Sequence, residues 1–405
     1  MPNYMAPDIY VEEISGGARP IQAVGTSTAG FIGEAPDPTQ RVNEAVAINN
    51  WSEFTRLFVT PDSKSTHLSQ AVYGFFLNGG SRCFVVNVGK GGAIAGGGRN
   101  RVGLNVLEQV DEVAIVAAPG YTDAASYDAV LTHCETLKDR VAILDAPAQV
   151  DDITLLTRVA LAKGEKSGTR DETAGTAGGL RPRQSDSGYG AFYFPWIKVR
   201  DPLSPDTLVD IPPSGHLAGL WARSDATRGV HKAPANETVR GALNLTYQLT
   251  RDEQGVLNQN GVNCIRSFVR EGIRVWGART AADGSSEWRY LNVRRLFIMI
   301  EESIATSTRW IVFEPNDRTL WKSIRRDISA FLTRLWRDGA LMGRTPQEAF
   351  FVKCDEETNP PDVIDSGAVI TLIGIAPVKP AEFIVFRISQ YAGGAESEAA
   401  GGSNG

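Results

Sequence analysis

The chain has 405 residues, of which 42% are hydrophobic, so it is long enough for roughly two or three globular domains with substantial cores. Its formal net charge is −6 and its isoelectric point is near 5.5. These values exclude a general attraction of the whole molecule to nucleic acid or to an anionic membrane surface, and any basic patch must be local.

The opening residues, MPNYMAPDIYVEEI, lack the basic head and apolar core of a signal peptide, and apolar runs such as residues 296–300 are too short to span a bilayer. We therefore expect assembly in the cytoplasm, with release by lysis where release occurs. The four cysteines, Cys83, Cys134, Cys264 and Cys354, are far apart and form no CxxC pair. They are expected to be buried or free thiols of a reducing compartment.

Apolar strand-like runs alternate with helix-like segments from residue 21 to about residue 265. The predicted strands are residues 83–88, 112–119, 141–147 and 191–199, and the predicted helices are residues 67–79, 126–138 and 152–164. Strands that are apolar on both faces and separated by helices are typical of a largely parallel sheet covered on both sides. The sequence therefore predicts an α/β fold for a first large domain, residues 21–265.

Two glycine-rich stretches interrupt this domain, at residues 89–103 and 164–188. Both are too rich in glycine, serine and charge to bury much surface, so we interpret them as exposed loops. Neither matches the GxxxxGK[ST] pattern that cradles phosphates, and no cofactor is expected.

The pattern changes from about residue 262. It predicts strands within residues 262–280, a long helix at 290–314, a second helix at 319–338 that ends at Gly339, a strand at 349–355, an apolar segment at 368–377 and a last strand at 382–390. Residues 266–390 are assigned to a C-terminal α+β domain. Residues 391–405 are predicted to be disordered from their composition.

Residues 25–29, Gly-Thr-Ser-Thr-Ala, are reminiscent of the nucleophile segment of subtilisin-type proteases. In those enzymes the histidine and the aspartate precede the serine, whereas the first histidine here is His67. A strand edge with small residues is the better interpretation. A hydrolase would need a clustered serine, histidine and acid, which the sequence does not supply, and no catalytic residue is assigned.

Metal-ligand spacing is also missing. The histidines, His67, His133, His216 and His231, show no paired spacing, and the adjacent His133 and Cys134 would point about 100° apart on a helix. The acidic pair Asp151–Asp152 is placed to cap the helix predicted at 152–164. The acidic residues 355–357 precede Asn359-Pro360-Pro361 and are expected to form a solvated turn. No metal site is predicted.

The helix predicted at 320–338 has one apolar face and one basic face. Its apolar face consists of Trp321, Ile324, Ile328, Phe331, Leu332 and Leu335. Its opposite face carries Lys322, Arg326, Arg334 and Arg337, with Arg325 at the margin. A solvated helix face and docking on an acidic partner both fit this pattern.

Three passages together resemble the contractile tail sheath family of phages, R-type bacteriocins, type VI secretion and extracellular contractile injection systems. They are residues 6–36 with a Tyr-Val-Glu-Glu core, residues 257–317 ending in FEPND, and residues 320–338 followed by EFIVFRISQ at 382–390. The middle passage is the most specific. The resemblance implies a structural protein, not an enzyme, that encloses an inner tube and contracts to drive it through a target envelope.

The resemblance also implies a subtilisin-like topology for the α/β domain and an N-terminal linker arm, residues 1–20. In the family, both terminal arms add strands to a small sheet in neighbouring subunits. The chain agrees with this role, because its terminal strand-forming segments have little partner sequence nearby. The expected exchange residues are Ile9, Tyr10, Val11, Glu12, Glu13, Ile14, Phe383, Ile384, Val385, Phe386, Arg387 and Ile388.

The family's C-terminal domain touches the tube through a helix, which the segment 320–338 matches. Lys322, Arg325, Arg326, Arg334 and Arg337 are therefore the expected tube contacts. The partners implied are copies of the chain itself in stacked hexameric rings, the inner tube protein, and baseplate and terminator proteins, with no nucleic acid and no membrane insertion.

Two other structural roles stay open, namely the sheath of a contractile-tailed bacteriophage and a non-contractile tail or baseplate protein. Many phage sheaths carry extra domains inserted in the α/β part. This chain has little room for them, which favours an injection system.

Overall fold

The computed structural model describes residues 20–161 and 178–387. The described strands are β1 (Ala29–Gly33), β2 (Val46–Ile48), β3 (Cys83–Asn87), β4 (Ala95–Gly96), β5 (Val102–Gly103), β6 (Ile115–Ala117), β7 (Val141–Asp145), β8 (Gly190–Phe194), β9 (Ile197–Arg200), β10 (Leu208–Ile211), β11 (Asn244–Leu245), β12 (Val262–Phe268), β13 (Gly272–Trp276), β14 (Phe350–Lys353) and β15 (Leu372–Ile375). The described α-helices are α1 (Trp51–Phe58), α2 (His67–Asn78), α3 (Leu104–Leu107), α4 (Ala124–Leu137), α5 (Ser214–Arg228), α6 (Arg251–Gln259), α7 (Leu291–Ser307), α8 (Arg318–Arg337), α9 (Pro346–Ala349) and α10 (Pro361–Asp365).

Eight of the described strands form one large sheet in the order β13-β12-β8-β7-β6-β1-β3-β2. The inner pairs from β12 to β3 are parallel, whereas the edge pairs β2–β3 and β12–β13 are antiparallel. Every residue of β1, β3, β7 and β8 is buried, which explains why these segments are apolar without alternation. The predicted α/β fold class is confirmed, and the subtilisin-like topology stays a prediction.

Helices α2 and α5 pack tightly against each other and together cover β1, β6 and β7. Glycines make the close approach possible: a Cβ added at Gly74 would lie 2.0 Å from Nδ1 of His216, and one at Gly215 would lie 2.2 Å from Cα of Ala71. His216 is buried, and desolvation lowers its pKa to about 4. The neutral ring is therefore part of the packed interior.

The strand predicted at 191–199 is two strands in the structure. β8 belongs to the large sheet, whereas β9 lies in a three-stranded sheet of order β10-β9-β11. Pro195 separates them, after a cis peptide bond with Phe194. Proline has no N–H to continue the hydrogen-bond ladder, so the chain changes sheets there.

The prediction of a helix at residues 152–164 is wrong over the described part, residues 152–161. Ile153–Thr157 form one short 3-10 helix, and Val159 then pairs in an extended bridge with Arg181. Asp152 does act as the predicted cap, since it accepts a 2.8 Å hydrogen bond from the N–H of Thr154. The β-branched residues that follow this cap disfavour a longer helix.

A second hydrophobic core lies outside the large sheet. Its buried residues are Ile21, Val230, Leu296, Met299, Ile300, Leu320, Trp321, Ile324, Ile328, Phe331, Leu332, Leu335, Ala340, Leu341, Ala349 and Cys354. Helix α7 is shared, because Leu291 and Ile298 pack in the first core while Leu296 and Ile300 pack in the second. The large sheet with its helices forms the large α/β body and the elements around the second core form the C-terminal body, and both bodies contain part of α7.

The C-terminal elements agree with most of their predictions. α7 and α8 correspond to the two predicted helices, and Gly339 follows α8 with a left-handed φ of 80°. The four cysteines are buried and free, as expected. The predicted domain boundary at residue 265 falls inside β12, whose hairpin with β13 extends the large sheet to Trp276.

Candidate assembly surfaces

The described chain begins with an extended segment, residues 21–26, that we call the N-terminal strap. The backbone N–H groups of Gln22 and Val24 donate hydrogen bonds to the hydroxyls of Ser307 at 3.2 Å and of Ser303 at 3.0 Å. These serines are four positions apart and so lie on one face of α7. The backbone of the strap is thus hydrogen-bonded to the helix. An extended segment without a strand partner needs such acceptors for its backbone N–H groups.

Helix α8 holds the first residue of the strap. Nη2 of Arg334 donates a 2.6 Å hydrogen bond to the carbonyl oxygen of Ile21, whose side chain is buried in the second core. The guanidinium also lies 5.7 Å from the centre of the Phe331 ring. The predicted arm residues Ile9–Ile14 precede this point and lie outside the described residues.

A buried ion pair holds the other end of the strap. Arg295 of α7 and Asp225 of α5 are almost fully buried and make two hydrogen bonds, of 3.0 and 2.5 Å. Thr26 donates its hydroxyl to Asp225 at 2.6 Å and accepts from Arg295 through its carbonyl at 3.0 Å. This network satisfies both charges and connects the strap to both cores.

The C-terminal segment is exposed and apolar. Phe383, Ile384, Val385 and Phe386 are 73–83% exposed, and residues 381–387 form no strand within the described chain. The predicted strand at 382–390 is therefore absent from the isolated subunit up to Arg387, and Ile388 lies outside the described residues. Four consecutive exposed apolar residues are a segment that a partner is expected to cover.

The segment is fixed at its beginning by Glu382. Arg279 donates from Nε to Oε1 at 2.9 Å and from Nη2 to Oε2 at 2.7 Å, and both side chains are mostly buried. The hydroxyl of Tyr290 lies 3.4 Å from the same carboxylate. The hydrogen bonds from Arg279 to Glu382 raise the pKa of the guanidinium. Nothing in the sequence pattern indicated this pair.

A two-stranded antiparallel ribbon is the remaining sheet of the C-terminal body. β14 and β15 pair with Phe350 opposite Ile375 and Lys353 opposite Leu372. Phe351 and Leu372 are 59% and 51% exposed. Among the described strands, each of the two pairs only with the other, so both outer edges present backbone donors and acceptors to a further strand.

Helix α8 has the predicted amphipathic arrangement, and all six residues of its predicted apolar face are buried. Its basic residues have different environments. Arg334 holds Ile21, and Arg326 donates from Nε to the buried carboxylate of Asp327 at 2.9 Å. Lys322, Arg325 and Arg337 are exposed and make no ion pair with any described residue.

Residues 25–29 are the segment reminiscent of a protease nucleophile. Part of this segment lines a cavity of about 420 Å³. Its lining includes Gly25, Thr26, Glu302 and Asp139, and no histidine is among the described lining residues. Burial, and then the neighbouring Asp139, raise the pKa of Glu302. Gly25 and Thr26 thus belong to the strap and to the junction between the two bodies.

In the ranges 20–161 and 178–387, no group of three or more His, Cys, Asp or Glu residues is placed to hold a metal ion. No helix in these ranges is long and apolar enough to cross a membrane. The acidic residues 355–357 form the predicted turn, in which the N–H of Glu357 donates to Asp355 at 3.0 Å.

Two family models match the chain. The phage tail sheath protein central domain matches residues 103–281, and the phage tail sheath C-terminal domain matches residues 283–390. Together they cover most of the chain, and their junction follows the β12–β13 hairpin, where the large sheet ends.

Curated relatives carry the same description. The tail sheath protein of Salmonella phage ViI is 30% identical over 277 residues, which are 65% of this chain and 41% of that protein. The tail sheath protein of Escherichia phage P2 is 27% identical over 175 residues, 42% of each protein. The matched region thus spans about two fifths of either relative.

Solved structures match over nearly the whole chain. The contracted PVC sheath complex, from an extracellular contractile injection system, superposes with a TM-score of 0.76 at 27% identity, covering 97% of this chain and 99% of that one. The contracted helical sheath of the anti-feeding prophage gives 0.73 at 28% identity, with coverages of 96% and 99%.

Proposed function

The chain belongs to the phage tail sheath family, and from that premise we propose that it is the sheath subunit of a phage-tail-like contractile injection system. It would enclose an inner tube in an extended lattice and shorten to drive the tube through a target envelope. The near-complete, mutual coverage with the PVC and anti-feeding prophage sheaths favours this system over a large phage tail.

One observation carries the proposal. The same subunit has an exposed apolar segment, Phe383–Phe386, and a two-stranded ribbon with two free edges. A strand that lacks a partner and a sheet edge that lacks a strand are complementary, and β-augmentation between copies would satisfy both. The ribbon of β14 and β15 would receive one strand at each edge, from the arms of neighbouring copies.

The physical chemistry suits a mechanical role. Each apolar side chain of the segment that becomes fully buried contributes about 1.5–3 kcal/mol, and each added backbone hydrogen bond about 1 kcal/mol. Such links persist while subunits rotate and translate as rigid bodies. Contraction then needs only a lower-energy lattice and no chemical step at the moment of firing.

Contacts with the tube must break during contraction, so they need to be weaker. Lys322, Arg325 and Arg337 present exposed charge that is not used within the described subunit. Exposed ion pairs contribute only about 0–1 kcal/mol each, and we propose that these residues meet an acidic tube surface. Stacked hexameric rings, a baseplate and a terminator complete the proposed assembly, which forms in the cytoplasm.

The test uses Ile384→Asp in the full chain, co-expressed with the tube and baseplate proteins and imaged by electron microscopy. A buried charge in the exchanged strand is expected to leave folded monomers or short rings in place of long sheaths. Val269→Asp is the matched control, since Val269 is 91% exposed at the tip of the β12–β13 hairpin. Long contractile sheaths formed by Ile384→Asp would refute the exchange.

Deletion of residues 1–20 tests the other arm by the same imaging. The truncated chain is expected to stay soluble as monomers or short rings, because one edge of every ribbon would lack its strand. Normal sheaths from this truncation would show that the N-terminal arm is not a link.

A further inference from the structure

Arg279 is a rigid anchor within the large α/β body. Its Nη1 donates to the carbonyl oxygen of Asn258 at 3.1 Å, and its backbone N–H donates to Oδ1 of Asn263 at 2.7 Å. Asn263 is fully buried in β12 and also donates to the carbonyl of Phe192 in β8 at 3.2 Å. Arg279 is thus tied to the interior strands of the large sheet.

Glu382 lies at the end of a segment that crosses from one body to the other. The N–H of Val378 donates to the carbonyl of Ala340 in the C-terminal body at 3.2 Å. The carbonyl of Val378 accepts from Asn292, at the start of α7, at 3.1 Å. Four residues later Glu382 is held by Arg279, immediately before the exposed apolar segment.

The N-terminal strap crosses in the opposite direction. Its chain continues into β1, an interior strand of the large sheet, but its backbone is held by Ser303 and Arg334 on α7 and α8. Each terminal segment is therefore fixed, near the end of the described residues, by the body to which its own strands do not belong. In this crossed arrangement, a pull on either arm acts on the body to which the strands of that arm do not belong.

We propose that the ion pair of Arg279 and Glu382 is a clamp that passes tension on the C-terminal arm into the eight-stranded sheet. The inference rests on the proposed function. Without the clamp, tension on residues 383–387 would fall on the two hydrogen bonds of Val378, and once these broke it would peel β15 from β14. A two-stranded ribbon is marginally stable by itself, whereas the large sheet is secured by a full core.

The experiment compares Glu382→Gln with the wild-type chain in complete particles. Glu382 lies on the crossing segment, so its substitution leaves the bonds of Arg279 to Asn258 and Asn263 in place. Contraction is triggered with denaturant, and sheath lengths before and after are measured by electron microscopy, together with the melting temperature of unassembled subunits. Glu135→Gln is the matched control, because Glu135 forms a similar two-bond pair with Arg183, at 2.8 and 3.1 Å, on the same body.

We expect extended sheaths of normal length from Glu382→Gln, a melting temperature lowered by no more than a few degrees, and contracted sheaths that break into pieces of about half the normal length or less, because one partner of a mostly buried pair is lost. Failure of this variant to assemble would overturn the clamp, because the contact would then be needed for assembly and not for the tension of contraction. The double exchange Arg279→Glu with Glu382→Arg is expected to restore the contracted length.

Intact contracted sheaths from Glu382→Gln would overturn the clamp, as would equal fragmentation in Glu135→Gln or fragmentation that the charge exchange does not reduce. Failure of the proposed function itself looks different, because wild-type chains would then form no contractile sheath at all.

Discussion

Arg334 donates a 2.6 Å hydrogen bond to the carbonyl oxygen of Ile21, from which it is separated by 313 positions in the sequence. The helical pattern assigns Arg334 to the basic face of α8 and hence to a tube contact. In the structure Arg334 also fastens the strap to α8, and its contact with the tube stays a prediction. Residues of one basic face can therefore act in different places. Arg334 bonds within the subunit, whereas Lys322 is proposed to contact the tube.

Arg334→Ala is expected to lower the free energy of unfolding by about 1 kcal/mol, because one hydrogen bond to a backbone carbonyl is lost at a partly exposed site. Urea denaturation of the unassembled subunit measures this. Lys322→Ala on the same helix serves as the control and should change stability by less than about 0.5 kcal/mol, since Lys322 is exposed and unpaired within the described residues. Equal losses in both variants would contradict the assigned role of Arg334.

Replacing Lys322, Arg325 and Arg337 together by glutamate is expected to abolish binding to the purified tube at low salt while leaving the subunit folded. The reason is that three attractive charges become repulsive at the proposed contact. Co-sedimentation with tubes gives binding, and circular dichroism gives the fold. The charge-matched control replaces Lys64, Arg251 and Arg270, which are exposed elsewhere. Retained tube binding by the first triple variant would remove α8 from the interface.

Gly74→Ala and Gly255→Ala should have effects of opposite sign. Alanine in a helix interior normally stabilises by about 0.5–1 kcal/mol relative to glycine, and a Cβ at Gly255 in α6 meets nothing within 4 Å. At Gly74 the same atom would lie 2.0 Å from the buried ring of His216, so overpacking should cost about 1–3 kcal/mol or more. Thermal and urea unfolding of both variants test this. A stabilised Gly74→Ala would show that α2 and α5 are packed less closely.

The subunit should lose stability in acid through its buried imidazoles. Desolvation lowers the pKa of His216 and of His133 to about 4. Because the unfolded pKa is near 6.5, this stabilisation is complete above pH 6.5 and is lost as the pH falls toward 4, by on the order of 2–3 kcal/mol per group. Burial raises the pKa of Asp145 to about 7, so its contribution is complete below about pH 4 and is lost as the pH rises through 7.

His216→Gln isolates one of these contributions. The difference in unfolding free energy between wild type and variant should shrink or reverse from pH 7 to pH 4, as measured by urea denaturation at each pH. A difference that is constant with pH would mean that His216 titrates normally in the folded subunit.

Much of the large domain could be predicted from the sequence, because strands buried on both faces leave uninterrupted apolar runs such as residues 83–86. The buried face of α8 was predicted for a similar reason, since helical periodicity is a local property. The helix at 152–164 failed, because a correct cap at Asp152 was followed by β-branched residues that disfavour helix. Local signals thus located the start of that element and overestimated its length.

The strap and the clamp were not predictable, because they join residues that are far apart in the chain. Glu382 and Arg279 are 103 positions apart, and neither belongs to a motif. The serines at 303 and 307 were a faint signal, since two hydroxyls at helical spacing on a mostly apolar helix need partners. Which backbone they bind depends on how the two bodies pack.

The order of synthesis gives the strap a further consequence. Val24 and Gln22 bond to serines that are 279 and 285 positions later in the chain. The two strands of the ribbon, Phe350–Lys353 and Leu372–Ile375, are synthesised later still. At ribosomal rates of about 5–20 residues per second, that delay is on the order of tens of seconds. A growing chain therefore has neither a docked arm nor a ribbon to offer a neighbour on the same messenger RNA. Under the proposed exchange of strands, only finished subunits can join the lattice.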